Sequence, residues 1–405
     1  MLDALWLSAL LLAEAWALWS ANRMLTLAAT LCLLVSASLL LTRRVALAGV
    51  RCTPALQRHR ANFGDVVPLT VELVNLKPLP LTWLRVEHGV PRALRIEGGR
   101  IESGRSDFLP HLLMVVAMLP YERLVRRLRV HCTHRGHHRF GPVSLQSGDY
   151  LGLLDAYRGD QRDQYLLVFP KVFLLELGRL ASQLLLGQHA ARRQYLPDPM
   201  RIIGARDYQS GDPYRAIDWR ATAKTGKLMV HVLQPGSTPA LDIVLDFAPP
   251  PRERVSYAPD ELELAISVVA SLARFATDRR MAVGVRGNGY SRHTPLAIPP
   301  AAKPGQLAAI MEALAHAATV PHAPLNEILA RPAPQIPAGA ITLIVTAALR
   351  DPVLAAAHDL QRRRRPFLIV WIATEQATLP SVPLPICKVT YDEAWTARPS
   401  LVLAA

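Results

Sequence analysis

Two apolar runs separated by a short polar turn occupy the start of the chain. Leu2 to Ser20 is apolar apart from two acidic residues, one of them Glu14, and Met24 to Thr42 is apolar throughout. Each run is long enough to cross about 30 Å of hydrocarbon as a helix. Neither run is followed by a convincing small-residue cleavage site of a removed signal peptide. The pattern therefore predicts a transmembrane helical hairpin over residues 1–44. Glu14 is expected in a helix–helix or oligomer interface, with a functional contact as the alternative.

After the second run the chain changes to the alternation that is typical of half-buried strands. Val66–Asn75 and Trp83–His88 alternate apolar and polar residues, and Leu112–Leu119 is a short apolar run between prolines that predicts a buried strand. With the turn residues between them, these segments predict a β-sandwich-like domain over residues 50–168. The histidines from His131 to His138 are interpreted as a surface cluster rather than a metal site, because side chains on a strand end and a glycine turn diverge.

Beyond residue 236, segments of strand length alternate with segments of helical periodicity. Their order is strand Ala240–Phe247, helix Leu262–Ala276, strand Met281–Arg286, helix Gln306–Ala317, strand Ile341–Thr346, helix Pro352–Arg365 and strand Phe367–Ala373. Short strands that are apolar on both faces are typical of parallel sheets covered by helices. The pattern predicts an α/β doubly wound domain over residues 236–405, and a multidomain protein as a whole.

The net charge of the chain indicates which classes of partner it could bind. The chain has 405 residues and a formal net charge of +14. This balance favours an anionic membrane surface, then an acidic partner protein; a nucleic acid comes last because no segment interleaves basic and aromatic residues as a nucleic-acid module does. Arg43, Arg44 and Arg51 follow the second apolar run, so the positive-inside rule places the soluble part in the cytoplasm. Four cysteines without Cys-x-x-Cys spacing agree with a reducing compartment.

A linker and signature segment over residues 169–235 joins the two soluble domains, and residues 201–230 are its most informative part. Alternating charges around aromatic residues are costly to order unless they pair with one another or with a partner. Asp212 and Pro213 suit a helix N-terminus, as cap and first helical residue. The residues that carry the pattern are Arg206, Tyr208, Gly211, Asp212, Arg215, Asp218, Trp219, Arg220, Thr222 and Lys224.

Residues 206–224 read Arg-x-Tyr-x-x-Gly-Asp-x-x-Arg-x-Ile-Asp-Trp-Arg-Ala-Thr-Ala-Lys. This motif resembles the bacterial domain-of-unknown-function 58 family. The Arg-Gly-x-x-x-x-Gly-Pro turn at residues 135–142 is similar to a second motif of that family, although Tyr150 and Leu151 replace the Pro-Phe pair of the turn that follows. The resemblance implies a membrane-anchored protein whose partners are a MoxR-type AAA+ ATPase and client proteins.

The order of the C-terminal elements, with an aspartate ending the first strand, resembles a von Willebrand factor A domain. In that family the strand ends Asp-x-Ser-x-Ser, whose oxygens hold a magnesium or manganese ion that captures a partner's carboxylate. Here Ala248 and Pro250 stand at the two hydroxyl positions, and only Asp246 remains. We therefore expect a degenerate metal site that holds no metal, with Asp246 either in a binding crevice or capping the strand end.

Two classes of function follow. The resemblance implies a non-enzymatic interaction or adaptor protein of the bacterial inner (cytoplasmic) membrane, acting without a cofactor in protein maturation or envelope stress. Tyr208 and Trp219 would then supply apolar contact area to a partner. A purely structural role for the signature, as an internal ion-pair network between the domains, is compatible with this function.

The alternative is a hydrolase or other enzyme that uses Asp212 and Asp218. If the segment after Gly211 is helical, Asp218 and Thr222 lie one turn apart on one face, near Lys224. The chain lacks the nucleophile-elbow, P-loop, zinc-protease and dinucleotide motifs, so no enzyme is expected. A nucleic-acid binder, which rests on net charge alone, is not expected either. The oligomeric state is left open.

Overall fold

The computed structural model describes residues 2–20, 23–103, 110–148, 155–185, 197–209, 212, 214–235, 240–248, 259–331, 336–337, 339–380 and 382–404. The chain divides into two compact units, residues 1–169 (unit 1) and residues 170–405 (unit 2). It is multidomain and largely β-rich, with an apolar helical segment at its N-terminus.

Unit 1 begins with two helices, α1 (Leu2–Trp19) and α2 (Arg23–Ala46). Within the described residues α2 is the one helix that is long and apolar enough to cross a membrane, and the described apolar part of α1, Ser8–Trp19, is shorter. Thr30 Oγ1 lies 3.2 Å from Glu14 Oε1, so Glu14 contacts the neighbouring helix, as one of its predicted roles requires.

The described residues of unit 1 that follow α2 form strands. They are β1 (Val50–Leu56), β2 (Arg60–Asn62), β3 (Val66–Asn75), β4 (Leu81–Gly89), β5 (Arg95–Glu97), β6 (Arg100–Ser103), β7 (Pro110–Met118), β8 (Arg123–His131), β9 (Gly136–Phe140), β10 (Val143–Gly148), β11 (Asp155–Asp160) and β12 (Gln164–Phe169). One sheet has the order β1-β3-β8-β5, a second has the order β11-β10-β4-β7-β6, and β2, β12 and β9 form a third.

The first two sheets bury their inner faces in one shared core, which makes unit 1 a sandwich. Leu69 and Leu73 of β3 and Leu84 of β4 belong to this core, and the burial of β3 alternates as its sequence predicts. The prediction that Leu112–Leu119 is a buried strand was wrong in part. The strand exists as β7, but Val115 is exposed because one face of its sheet lies outside the core.

Unit 2 begins with a strand and a helix that pack against the core of its large sheet, and a hairpin and a short helix that carry the signature residues follow. These elements are β13 (Leu174–Leu177), α3 (Arg179–Leu185), β14 (Pro197–Asp207), α4 (Trp219–Thr225) and β15 (Met229–Pro235). The remaining elements are β16 (Ala240–Leu245), α5 (Pro259–Asp278), β17 (Ala282–Ser291), β18 (Thr294–Ala301), α6 (Gln306–Ala315), β19 (Ala317–Pro321), α7 (Leu325–Ala330), β20 (Ile341–Thr346), α8 (Asp351–Arg362), β21 (Phe367–Thr374), β22 (Ile386–Tyr391) and β23 (Ser400–Leu403).

The large sheet of unit 2 has the order β18-β17-β16-β20-β21-β22, with β19 also pairing with β17. Strands β16, β17, β20 and β21 run parallel, as their apolar sequences predict, and β22, which was not predicted, pairs parallel with β21. Strands β18 and β19 run antiparallel, so the sheet is mixed. Helices α5 and α6 pack on one face against Leu241 and Ile243, and α7 and α8 pack on the other against Val244 and Ile344. This arrangement places the carboxyl ends of β16 and β20 side by side.

Candidate interaction site: the signature hairpin and the Asp246 strand end

The signature residues from Tyr208 to Lys224 lie in the segment that connects the antiparallel strands β14 and β15, and we call this connecting segment the excursion. Strands β14 and β15 pair Arg206 with Val230 and Asp207 with Met229, which closes the base of the excursion. Tyr208 N–H donates to the Leu228 carbonyl at 2.8 Å and extends the pairing by one step. The charged and aromatic residues between the strands are therefore brought together at one end of this ladder.

The Arg206 guanidinium and the Asp212 carboxylate make a two-point ion pair inside this excursion. Nη1 lies 2.8 Å from Oδ2, and Nη2 lies 2.7 Å from Oδ1. Asp212 Oδ2 also accepts the Gln209 N–H at 2.9 Å. The hydrogen bond from Arg206, followed by that from Gln209, lowers the pKa of Asp212. Both carboxylate oxygens hold the loop in place, so Asp212 is a structural group.

Asp212 does not begin an α-helix, so that prediction was wrong, and Pro213, its predicted first helical residue, lies outside the described residues. A short 3-10 turn, Tyr214–Ala216, follows them, and α4 begins only at Trp219. Asp218 caps α4, because its Oδ1 accepts the Arg220 and Ala221 N–H groups at 3.0 Å each. Asp212 is occupied by Arg206 and is not available as a cap, whereas Asp218 meets the free N–H groups of the first turn.

Asp218 and Thr222 lie one helical turn apart, as expected, and both tie α4 to the hairpin. Thr222 N–H donates to the Asp218 carbonyl at 2.9 Å, and Thr222 Oγ1 accepts the Met229 N–H at 3.0 Å. His231 Nδ1 of β15 lies 3.3 Å from Asp218 Oδ2. The capping hydrogen bond from Ala221, followed by the charge of His231, lowers the pKa of Asp218. A carboxylate so stabilised in its ionised form is poorly suited to hold a catalytic proton.

The outer surface of the excursion is aromatic and basic. Trp219 is 69% exposed and Tyr214 is 77% exposed, and the Tyr214 ring lies 6.2 Å from that of Tyr208. Arg220 and Lys224 are also exposed on α4. We call Tyr214, Trp219, Arg220 and Lys224 the signature tip. Large exposed aromatic groups beside cations are typical of protein-binding surfaces. Of the other predicted residues, Gly211 and the side chain of Arg215 lie outside the described residues.

Asp246 lies apart from the signature, at the carboxyl end of β16. It is 1% exposed and its oxygens are fully engaged: Oδ1 accepts from Asn288 Nδ2 at 2.8 Å and from Ala248 N–H at 3.1 Å, and Oδ2 lies 2.9 Å from Thr346 Oγ1. Burial raises the pKa of Asp246. Thr346 Oγ1 also lies 2.9 Å from the Ala348 carbonyl and accepts the Ala348 N–H. The Thr346 hydroxyl has one proton, which it donates to the Ala348 carbonyl in this arrangement. Every hydrogen-bonding atom of the Asp246 cluster then has a partner when Asp246 is protonated and donates to Thr346 Oγ1.

A hard divalent cation does not fit the Asp246 cluster. Such an ion needs several free oxygen ligands, but both Asp246 oxygens are taken and Ala248 stands where the metal-binding motif has a hydroxyl. Across the described ranges, no group of three or more His, Cys, Asp or Glu side chains is arranged to hold a metal. The histidines near the glycine turn have separate partners: His131 meets Glu97 at 3.0 Å, and the His137 ring stacks on Tyr165.

Several site residues were not identified from the sequence. Asn288 lies in β17 just past its pairing with β16, and Thr346 ends β20, so the convergence of parallel strand ends was a signal that could have found them. His231 and Tyr214, which contact Asp218 and Tyr208, carried no periodic signal, because their contacts depend on the path of an irregular loop.

Residues 204–382 match the family described as "Protein of unknown function DUF58". "Uncharacterized protein YeaD" of Bacillus subtilis (strain 168) is 22% identical over 240 residues, which are 59% of this chain and 56% of that protein. The match thus spans about half the length of that relative.

Similar solved structures include the GAE domain of GGA2p from Saccharomyces cerevisiae, with 9% identity, a TM-score of 0.20, and coverage of 28% of this chain and 88% of that chain. The cohesin module from the Clostridium perfringens ATCC13124 family 33 glycoside hydrolase has 9% identity, a TM-score of 0.21, and coverage of 29% and 96%. TM-scores this low establish no shared fold.

Proposed function

Because this chain belongs to the DUF58 family, we propose that it is a membrane-anchored, non-enzymatic adaptor that works with a MoxR-type AAA+ ATPase. Its role is to present client proteins in protein maturation or in the response to envelope stress. The protein acts without a cofactor. The signature tip is the surface that binds the ATPase.

The observation that carries this proposal is the contrast between the base and the tip of the signature. At the base, Arg206 and Asp212 form an ion pair with each other. Asp218 caps α4 with its carboxylate. At the tip, Trp219 and Tyr214 remain largely exposed. A base ordered by an ion pair and hydrogen bonds lowers the entropic cost of binding through the exposed aromatic groups above it, which favours a docking surface.

We further propose that α1 and α2 form a transmembrane hairpin in the bacterial inner membrane, with the soluble units in the cytoplasm. Arg43 and Arg44 in the last turn of α2 support this orientation. The Arg158 guanidinium donates to the Leu47 carbonyl at 2.9 Å, and Arg43 Nε donates to the Asp155 carbonyl at 2.8 Å. These bonds fix the end of α2 to the sandwich, so the anchor and the sandwich move together.

The five parallel strands in the mixed sheet of unit 2, with helices on both faces and Asp246 at the end of β16, support a von Willebrand factor A-like domain whose metal site is degenerate. Such sheets place their binding sites at the carboxyl ends of the strands. The Asp246 cluster closes that end with hydrogen bonds, and this favours a binding or structural role over metal-dependent capture of a carboxylate.

An enzyme that uses Asp212 and Asp218 is the competing function. Lowered pKa values and structural hydrogen bonds on both carboxylates disfavour general acid or base catalysis. Asp218→Asn separates the two functions, because asparagine also caps helices but carries no charge. The adaptor retains partner binding in this variant, whereas an enzyme that needs the carboxylate loses turnover.

Co-purification from solubilised native membranes tests the proposal. We expect a MoxR-type ATPase to be recovered with the wild type and to be lost with Tyr214→Ala/Trp219→Ala. Tyr157→Ala, which removes a similarly exposed ring (71%) from the sandwich, is the matched control and should retain the ATPase. Recovery of the ATPase with all three proteins would remove the signature tip as the docking surface. Absence of the ATPase from every sample would overturn the adaptor function.

A further inference from the structure

A groove opens along one side of the sandwich in unit 1, between the edges of β7 and β8. Its volume is about 590 Å³, and its walls include Leu113, Met114 and Val116 from β7 and Val125, Arg126 and Arg127 from β8. The aliphatic side chains of β7 face the basic side chains of β8. The groove lies within unit 1 and shares no residue with the signature tip.

Two glycines explain why the groove exists. β5 pairs with β8, and β6 pairs with β7, so the chain crosses from one sheet to the other at Gly98 and Gly99. A Cβ atom on Gly99 would lie 2.3 Å from Leu112 Cδ1, and Gly98 has φ +97°. The crossing is therefore tight against the core and closes the sandwich at that point. Beyond it, the two sheet edges separate.

The crossing leaves part of each edge without a neighbouring strand. β5 pairs with β8 only over Arg129–His131, and β6 pairs with β7 only over Pro110–Leu113. Among the described strands, none pairs with the remaining edge of β8 from Arg123 to Leu128. An unpaired edge of about six residues is roughly 20 Å long, enough to take one added strand.

The backbone groups that face the open edge can be identified. Asn75 N–H donates to the Glu122 carbonyl, and Cys132 N–H donates to the Asp65 carbonyl, both at 2.9 Å, so even-numbered residues of this strand face β3. Residues along a strand alternate in the direction of their N–H and C=O groups. Val125 and Arg127 therefore point their N–H and C=O groups toward the groove.

Charge limits what can occupy the edge. Neither Arg126 nor Arg127 forms an ion pair with a residue in the described part of the chain, whereas Arg123 is paired with Glu72. A second copy of β8 would bring these arginines against one another, and like charges placed opposite each other destabilise strand pairing. An occupant with acidic residues would instead neutralise them.

We propose that this edge is a peptide-docking site, in which an extended segment of a partner protein adds a strand to β8. The segment has apolar residues at alternate positions, which contact Met114 and Val116, and acidic residues between them, which face Arg127. Main-chain hydrogen bonds to Val125 and Arg127 provide affinity, and the alternating side chains provide specificity. The proposal goes beyond the adaptor function and does not depend on it.

The test measures binding of two labelled peptides to the full chain in detergent micelles. One peptide alternates valine and glutamate, and the other alternates valine and lysine. The wild type is expected to bind the glutamate peptide at least about tenfold more tightly than the lysine peptide, because only the first complements the arginines. Val125→Pro removes one edge N–H without touching the pairing with β3, and is expected to weaken binding about tenfold. Arg127→Glu is expected to abolish the preference for glutamate.

Arg58→Glu makes the same charge change at an exposed position outside the groove, and it should bind as the wild type does. Circular dichroism checks that each variant retains its fold. An anionic lipid in the groove would respond to Arg127→Glu but not to Val125→Pro, and that result would overturn strand addition. Equal binding of both peptides, or no binding of either, would also overturn strand addition. The charge of Arg126 would then serve to prevent aggregation through the open edge. A dimer that dissociates on Val125→Pro, without peptide binding, would assign the edge to a second copy instead.

Discussion

The Arg286 guanidinium pairs with the Asp242 carboxylate inside the large sheet of unit 2. Arg286 Nη2 lies 2.7 Å from Asp242 Oδ2, and the two side chains are 14% and 2% exposed. Arg286 Nη1 also donates to the Ile328 carbonyl at 3.3 Å, which connects the pair to α7. Because both charges are largely removed from water, each depends on the other for compensation. The pair joins neighbouring parallel strands to the helix that covers them.

Asp242→Ala is therefore expected to lower the free energy of local opening in this sheet by about 3–5 kcal/mol, since it leaves a buried guanidinium unpaired. Hydrogen–deuterium exchange of the β16 and β17 amides measures this loss strand by strand. Asp278→Ala, which breaks the exposed Arg274–Asp278 pair, is the matched control and should cost less than about 1 kcal/mol. Equal effects of the two substitutions would show that Asp242 is not needed to compensate Arg286.

The Asp246 cluster predicts different outcomes for two substitutions of one residue. Asp246→Ala leaves Asn288 Nδ2 and the Ala248 N–H without their acceptor, so we expect a loss of roughly 3 kcal/mol. Asp246→Asn keeps an oxygen for these donors and places an N–H group beside Thr346 Oγ1, so its cost should be within about 1 kcal/mol. Exchange of the β16 and β20 amides distinguishes the two. A large loss in Asp246→Asn would indicate that the carboxylate is ionised.

The same cluster predicts a pH dependence. Burial raises the pKa of Asp246 in the folded protein above its ordinary value of 3.8. The folded state therefore binds this proton more tightly than the unfolded state. The resulting stability is fully present below about pH 4 and is lost as the pH rises through the raised pKa. Asp246→Asn cannot ionise, so its stability relative to the wild type should increase with pH over that window. A difference between the two proteins that does not change with pH would contradict the protonated state.

Lys77 is expected to stabilise the junction between α2 and the sandwich. Its ammonium group donates to the Val45 carbonyl at 2.8 Å and also to the Ala46 carbonyl, so a cation meets two carbonyls at the end of the helix. Lys77→Met keeps much of the side-chain volume and removes the charge. We expect faster exchange at residues 45–50, corresponding to about 1–2 kcal/mol. Lys303→Met, at an exposed lysine of unit 2, should leave these amides unchanged.

Periodic segments were predictable from the sequence, and contacts made by irregular segments were not. The predicted bounds of β3 and β20 agree with the observed strands at both ends. A strand that is buried on one face needs alternating apolar residues, and a strand that is buried on both faces needs a continuous apolar run. The antiparallel strand β18 was missed because Arg292 and His293 form its turn with φ +48° and +68°. These residues lack the usual Asn-Gly signal of such turns.

In the candidate site too, the contacts of an irregular segment could not be predicted from the sequence. The choice between Asp212 and Asp218 as helix cap depends on which of them Arg206 holds, and that is decided by the path of the loop. Residue types and spacing identified both carboxylates as important, and the pairing of β14 with β15 determines their different roles.

The Arg206–Asp212 pair makes a final prediction about the signature tip. Arg206→Lys should loosen the excursion between β14 and β15, because one ammonium group cannot replace two parallel N–H···O bonds to a carboxylate. The observable is trypsin cleavage after Arg220 and Lys224, which should be faster than in the wild type. Arg220→Lys keeps a trypsin site in the same place without altering the ion pair, and should be cleaved at the wild-type rate. Asp212→Asn should reproduce the faster cleavage. If neither Arg206→Lys nor Asp212→Asn changes the cleavage rate, the pair does not hold the excursion, and the hairpin alone orders the signature tip.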